Sequence, residues 1–123
     1  MKKAQIMIVE DKKELVKLYE KFLLVNGYFI LFKAYNGRDA LEFYKTTKEY
    51  PDVIIMDYRM PFKDGIATSQ EILQVNPNQK IIFASADESI KERAEEIGIM
   101  EFKKKPFSLV DLRKSIEKAI EMT

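Results

Sequence analysis

The chain has 123 residues, with 21 Lys and Arg, 20 Asp and Glu, and neither Cys nor His, which gives a formal net charge of +1. This length suits one domain, and the small net charge provides no overall attraction to nucleic acid or to an anionic membrane. Without Cys and His there is no disulfide, no thiolate nucleophile, no Ser-His-Asp triad and no imidazole base. Any chemistry therefore depends on carboxylates, hydroxyls, lysines, backbone groups or a bound ion.

Apolar runs and amphipathic stretches alternate along the first half of the chain. A buried strand over 4–9 is followed by a helix that ends at Gly27, and an aromatic-rich strand follows over 28–34. Asn36 caps a second helix, which Pro51-Asp52 ends, and the next buried strand covers 53–56. Four apolar residues mark the predicted inner face of the first helix: Leu15, Leu18, Phe22 and Val25.

The second half repeats the alternation. The loop over 58–65 is rich in turn residues and leads into a third helix. A fourth strand covers 80–85, a fourth helix is closed by Gly98, and a short fifth strand covers 99–103. Ser108 caps the last helix. The pattern predicts five β-α units with short connections.

Strongly apolar strands alternating with helices indicate an α/β fold, a doubly wound parallel sheet with helices on both faces. The functional crevice of such a sheet lies at the carboxyl ends of its strands. The apolar run at the N-terminus, 6–9, is too short for a signal peptide or a membrane span. Together with the absence of Cys, this predicts a cytoplasmic protein with no membrane insertion and no direct contact with nucleic acid.

Five polar residues occupy the predicted strand ends: Glu10, Asp11, Asp57, Ser85 and Lys105. Three acids at one edge repel one another, which raises at least one pKa. A hard divalent cation such as Mg²⁺ resolves this conflict because it prefers oxygen ligands. With a lysine and a hydroxyl nearby, the set suits phosphoryl transfer, in which an aspartate can be the covalent acceptor.

At this point the chain resembles the receiver domain of two-component response regulators. The similarity extends over the whole chain and includes the order of the elements. Each motif alone is weak, but all four lie at the end of the appropriate strand. The motifs that carry it are VED (Val9–Asp11), MDYRMPFKDG (Met56–Gly65), ASA (Ala84–Ala86) and KKPF (Lys104–Phe107).

The resemblance implies a role for each residue at the strand ends. Asp57 would be the phospho-acceptor, Lys105 would contact the phosphoryl group, and Ser85 would be the hydroxyl switch residue. The Lys105–Pro106 bond would be cis. The ligands of Mg²⁺, or of Mn²⁺ in its place, would be Glu10, Asp11, Asp57 and the backbone carbonyl of Arg59.

The resemblance also implies a flavodoxin-like sheet of five strands in the order 2-1-3-4-5. Phe102 occupies the position of an aromatic switch, although a fixed core aromatic is an equally good interpretation. Arg59 and Asp87 each lie two residues beyond a site residue. We hypothesise that these two form an ion pair over the site and slow autodephosphorylation.

The predicted function is that of a stand-alone response regulator, a single receiver domain over 1–123 with no output domain in this chain. It would be a phospho-accepting switch rather than an enzyme, although it would assist its own phosphorylation and dephosphorylation. Its partners would be a sensor histidine kinase or a histidine phosphotransfer protein, and a separate downstream effector that recognises the surface of helix 4, strand 5 and helix 5.

Other functions use similar residues. A phosphorelay intermediate would pass the phosphate on to another histidine protein. A haloacid-dehalogenase-like phosphatase usually carries a second Asp two residues after the first, where this chain has Arg59. A flavodoxin-type electron carrier would need a phosphate-binding loop at 10–12, where the two acids would repel a phosphate. A degenerate receiver, which only docks, would not need the complete set of site residues.

Overall fold

The structure, a computed structural model, describes residues 3–122. Met1, Lys2 and Thr123, which belong to the predicted domain 1–123, lie outside the described residues. None of the described helices is long and apolar enough to cross a membrane. The strands are β1 (Gln5–Val9), β2 (Phe29–Ala34), β3 (Val53–Asp57), β4 (Lys80–Ser85) and β5 (Glu101–Lys104). The helices are α1 (Lys13–Val25), α2 (Gly37–Thr46), α3 (Gly65–Val75), α4 (Lys91–Glu96) and α5 (Leu109–Glu121), with a 3-10 turn at Glu88–Ile90.

All strand pairs in the sheet are parallel, and the order is β2-β1-β3-β4-β5, which confirms the predicted fold. The central strands are buried on both faces because α2, α3 and α4 cover one side and α1 and α5 cover the other. Helical crossovers between parallel strands make the chain return to the same end of the sheet each time. The carboxyl ends of all five strands therefore lie along one edge.

Local sequence signals set the helix ends as predicted. Asn36, Asp64 and Ser108 each cap a helix by accepting a hydrogen bond from the backbone N–H three residues later, at 2.8, 2.8 and 3.0 Å. Gly27 and Gly98 follow α1 and α4 with φ angles of 87° and 101°. Only glycine adopts this left-handed backbone without strain, so these two residues end their helices.

The prediction of which α1 residues face the sheet is wrong by about one position along the helix. Leu18 and Val25 are 49% and 82% exposed, and the other two residues of the predicted stripe are only partly buried. Helix α1 carries apolar residues on two adjacent faces, so periodicity alone does not decide which face contacts the sheet. The residues that α1 buries are Val16, Tyr19 and Leu23.

Three other elements differ from the prediction at their ends. Helix α2 stops at Thr46 because Thr47 adopts an extended backbone, well before the predicted end. Strand β5 is displaced by one or two residues from 99–103, because pairing begins where the N–H of Met100 donates to the carbonyl of Ile81 at 3.0 Å. The fourth helix is divided into a 3-10 turn and the short α4.

The loop between β3 and α3 contains a strained residue. Phe62 has a φ angle of 70° and forms the centre of a γ-turn in which the N–H of Lys63 donates to the carbonyl of Pro61 at 2.8 Å. The residue is 71% exposed, and the guanidinium of Arg38 lies 4.0 Å from the ring centre. Such a backbone costs a non-glycine residue about 1–3 kcal/mol, whereas an exposed cation–π contact contributes about 0.5–1 kcal/mol. Phe62 therefore does not stabilise the fold.

We expect Phe62→Gly to be at least as stable as the wild type and about 1 kcal/mol more stable than Phe62→Ala. Glycine removes the left-handed strain, whereas alanine keeps the strain and loses the contact with Arg38. Urea unfolding of the three proteins measures both differences. A glycine variant less stable than the alanine variant would show that the turn is not strained.

Candidate phosphoryl-transfer site

Three carboxylates meet at the carboxyl edge of the sheet, as predicted. Glu10 and Asp11 follow β1, and Asp57 is the last residue of β3. The pairing of Val9 with Met56 makes the two strands end level with each other. One oxygen of each carboxylate lies within 4.8 Å of the others. Because two of the three acids are buried, at 1% exposure for Glu10 and 9% for Asp57, their repulsion is weakly screened.

Lys105 reaches this group from the end of β5. Its Nζ donates to Oε1 of Glu10 at 2.8 Å and to Oδ1 of Asp57 at 3.1 Å. The lysine side chain is 19% exposed, so these are largely buried, charge-assisted hydrogen bonds. One lysine thus binds two of the three acids, and the four residues carry an excess of negative charge when all are ionised.

The electrostatics of the site follow from this arrangement. Burial, reinforced by the charge of Asp57, raises the pKa of Glu10 to about 7, and the bonds from Lys105 and Lys12 only partly oppose the rise. Burial by itself would lower the pKa of Lys105, but the hydrogen bond to Glu10 and the charge of Asp57 outweigh this effect. The pKa of Lys105 is therefore raised, and its ammonium remains charged.

Of the three consecutive lysines at 103–105, the one that enters the site is Lys105, which lies just beyond the end of β5. Lys103 points to α5, where its Nζ donates to Oγ of Ser115 at 3.1 Å and lies 3.3 Å from Glu101. Lys104 is exposed. The N–H of Lys105 donates to the carbonyl of Ser85 at 2.9 Å, and the Lys105–Pro106 bond is cis. The predicted assignment of Lys105 to the site and the expected cis bond both agree with the structure.

Ser85 ends β4 beside Asp57. It is 4% exposed, and its Oγ accepts a hydrogen bond from the N–H of Asp87 at 3.0 Å. That bond uses an acceptor position of the hydroxyl and leaves its hydrogen to be donated to an incoming group. An open cavity of about 430 Å³ lies over the site, lined by Asp11, Lys12, Asp57, Arg59, Ser85, Ala86, Asp87 and Lys105.

The hypothesised ion pair is present at the mouth of this cavity. Nη2 of Arg59 lies 3.1 Å from Oδ2 of Asp87, with Arg59 79% exposed. Asp87 also accepts hydrogen bonds from the hydroxyl and the N–H of Ser89. Those bonds, and then the nearby Arg59, lower the pKa of Asp87. The carboxylate is therefore ionised at neutral pH, and the pair is available to cover the site.

The structure differs from the sequence prediction at two residues: Lys12 contributes to the site although it was not predicted, and Phe102 lies away from the cavity. Lys12 was not predicted, yet its backbone N–H donates to Oε2 of Glu10 at 3.2 Å. Its position directly before α1 was the available signal, because the first N–H groups of a helix lack helical partners. Phe102 does not line the cavity. It is half-buried and stacks on Phe83 with ring centres 6.1 Å apart, so its role as a switch stays a prediction.

The donor set fits a hard cation. Three carboxylates against one lysine leave negative charge that a further cation can neutralise, and Mg²⁺ binds protein sites through one or two carboxylates and water. No thiolate or imidazole competes, since the chain has neither Cys nor His. The residues at this edge are therefore suited to a divalent cation next to an acceptor carboxylate.

The sequence profile of the response regulator receiver domain matches residues 6–117, nearly the whole chain. The chain belongs to this family. It is thus a receiver domain of two-component signalling. Receiver domains act as phospho-accepting switches that interact with kinases and effectors, and the strand-end residues described above are those by which the sequence resembles the family.

Individual relatives agree. The chain is 35% identical over 105 residues to the chemotaxis protein CheY of Thermotoga maritima, covering 84% of this chain and 86% of the relative. It is 33% identical over 118 residues to CheY of Bacillus subtilis, covering 94% and 97%. A chain in the crystal structure of the CheX–CheY–BeF3–Mg²⁺ complex from Borrelia burgdorferi superposes with a TM-score of 0.87 at 25% identity, covering 94% and 87%.

We expect Mg²⁺ to stabilise the protein. At a concentration ten times its Kd, a ligand that binds only the folded state raises the free energy of unfolding by about 1.4 kcal/mol. Asp11→Asn should reduce this increase, whereas Glu14→Gln, which changes an exposed acid in the first turn of α1, should leave it unchanged. Urea unfolding with and without Mg²⁺ measures the effect, and a wild type insensitive to Mg²⁺ would contradict the assignment.

Proposed function

We propose that Asp57 accepts a phosphoryl group from a phosphohistidine on a partner, either a sensor histidine kinase or a histidine phosphotransfer protein. The observation that carries this proposal is the position of Asp57, hydrogen-bonded to Lys105 and within 4.8 Å of two further carboxylates. The chain has no histidine of its own, so the donor imidazole lies outside these 123 residues.

The proposed transfer moves one phosphoryl group. A carboxylate oxygen of Asp57 attacks phosphorus, an O–P bond forms, and the N–P bond to the partner's imidazole breaks and returns its electron pair to nitrogen. Lys105, already placed 3.1 Å from Oδ1 of Asp57, stabilises charge on the phosphoryl oxygens. The hydroxyl of Ser85, with its hydrogen uncommitted, donates to another phosphoryl oxygen.

Metal assistance is part of the proposal. Glu10, Asp11, Asp57 and the backbone carbonyl of Arg59 would hold Mg²⁺, or Mn²⁺ with the same oxygen ligands. When bound, the ion neutralises the charge of the acids and of the phosphoryl group. The cluster of three carboxylates in this chain supports a metal site. The related CheX–CheY complex from Borrelia burgdorferi contains Mg²⁺.

The phosphorylated form would be a signal rather than the product of an enzyme. An aspartyl phosphate adds about 1.5 to 2 negative charges, which would draw Ser85 and Lys105 toward it. Ser85 ends β4, before α4, and Lys105 directly follows β5, before α5. The surface of α4, β5 and α5 would change, with Phe102 as the aromatic switch, and a separate effector protein would recognise it. Family membership does not favour a haloacid-dehalogenase-like phosphatase.

We expect acetyl phosphate and Mg²⁺ to add the mass of one phosphoryl group to the wild type and none to Asp57→Asn. Intact mass spectrometry detects the difference. Asp52→Asn, at the opposite end of the same strand, is the matched control and should be modified like the wild type. Modification of the Asp57 variant would disprove the acceptor assignment. Onward transfer of the label to a histidine protein would identify a phosphorelay intermediate.

We expect Arg59→Ala and Asp87→Asn to shorten the life of the phosphorylated form by up to about fivefold, a modest effect because the ion pair is exposed and screened by solvent. Asparagine retains the contacts with Ser89 and loses only the charge. The measurement is the loss of phosphoprotein after removal of the phosphodonor. A lifetime unchanged in both variants would show that the pair does not protect the site.

A further inference from the structure

The aromatic ring of Phe62 does not contribute to the stability of the fold. It forms the centre of a γ-turn at a φ angle of 70°, and 71% of the residue is exposed. Glycine would adopt the same turn without strain. A bulky residue retained in a strained conformation with its ring in solvent points to a function outside the chain.

The surroundings of Phe62 keep its ring in one place. The side chain of Lys63 forms an ion pair with Glu71 of α3. The carbonyl of Lys63 packs against Gly37 so closely that a Cβ on the glycine would lie 2.2 Å from the oxygen. The guanidinium of Arg38 covers one face of the ring at 4.0 Å. An aromatic ring fixed before binding loses little conformational entropy on binding, which favours recognition.

The position of this loop limits what the ring contacts. Phe62 follows Asp57 by five residues, in the loop that begins at the acceptor and supplies Arg59 to the cavity wall. A protein that delivers a phosphohistidine to Asp57 has to place its imidazole at this edge of the sheet. Its surface then covers the loops around the edge, including the β3–α3 loop.

Building on the proposed function, we propose that Phe62 is a recognition residue for the protein phosphodonor. The ring enters an apolar pocket of the donor. Arg38, whose side chain is 60% exposed and whose Nε lies 3.7 Å from Oδ1 of Asp39, pairs with a carboxylate at the rim of that pocket. The partner is thus distinguished by an apolar pocket with an acidic rim beside its phosphohistidine.

The test compares a protein donor with a small one. The protein donor is the histidine kinase, among those of the organism that encodes this chain, that labels the wild type fastest. Phe62→Gly and Phe62→Ala should both lose about thirtyfold in the rate of transfer from this kinase, the loss typical of an interface hot spot. Labelling by acetyl phosphate should equal that of the wild type. Phe62→Tyr should retain fast transfer.

Phe29→Ala is the matched control, because Phe29 is also an exposed aromatic, at 52%, but lies at the start of β2 and away from the site. Its transfer rate should equal that of the wild type. Because the glycine and alanine variants differ in stability, an equal loss in both assigns the effect to the ring.

Three results would overturn parts of this account. Transfer from the kinase at the wild-type rate in both Phe62 variants would disprove the recognition role and leave Asp57 as the acceptor. A wild type that acetyl phosphate labels, but that no histidine kinase and no histidine phosphotransfer protein of the organism labels, would disprove a protein donor. A wild type that acetyl phosphate does not label would overturn the proposed function itself.

Discussion

The ammonium of Lys105 hydrogen-bonds two acids that stand far from it in the sequence, Glu10 at 2.8 Å and Asp57 at 3.1 Å. This contact exists only because five parallel strands end at one edge of the sheet, so the fold and the site have the same origin. One lysine does not neutralise three carboxylates. The remaining negative charge makes the edge suited to a divalent cation, and the cation together with Lys105 and Ser85 makes it suited to a phosphoryl group.

The same concentration of charge opposes folding. Burial raises the pKa of Glu10 to about 7, so the folded state holds its proton more strongly than the unfolded chain does. Without a bound cation, stability therefore falls as the pH rises from the ordinary value of 4.5 through the folded-state value. Apolar cores on both faces of the sheet offset this loss. The acidic cluster lowers the stability of the fold, and the fold tolerates this cost because the cluster serves the function of the protein, as is common at functional sites.

Features that depend on strand ends and local hydrogen bonds were predictable from the sequence. Asp57 follows an apolar run, Lys105 lies just beyond the short fifth strand, and Asn36 and Ser108 have the side chains of helix caps. None of these predictions needed tertiary contacts. Features that depend on packing were not predictable. The sheet selects Tyr19 rather than its neighbours on α1. The left-handed turn at Phe62 and the contacts that bury Lys103 form only when distant segments meet. The roles of the site residues were predicted from the resemblance to receivers.

Lys105 holds the repulsion among the carboxylates in check, and a bound cation relieves it. Urea unfolding of the wild type and Asp57→Asn, each with and without Mg²⁺, measures this repulsion. Removing one charge leaves Glu10 and Lys105 as a neutral pair, so without Mg²⁺ the variant should be more stable by about 1 kcal/mol. This advantage should shrink or reverse when Mg²⁺ is added. A variant less stable than the wild type without Mg²⁺ would contradict the account.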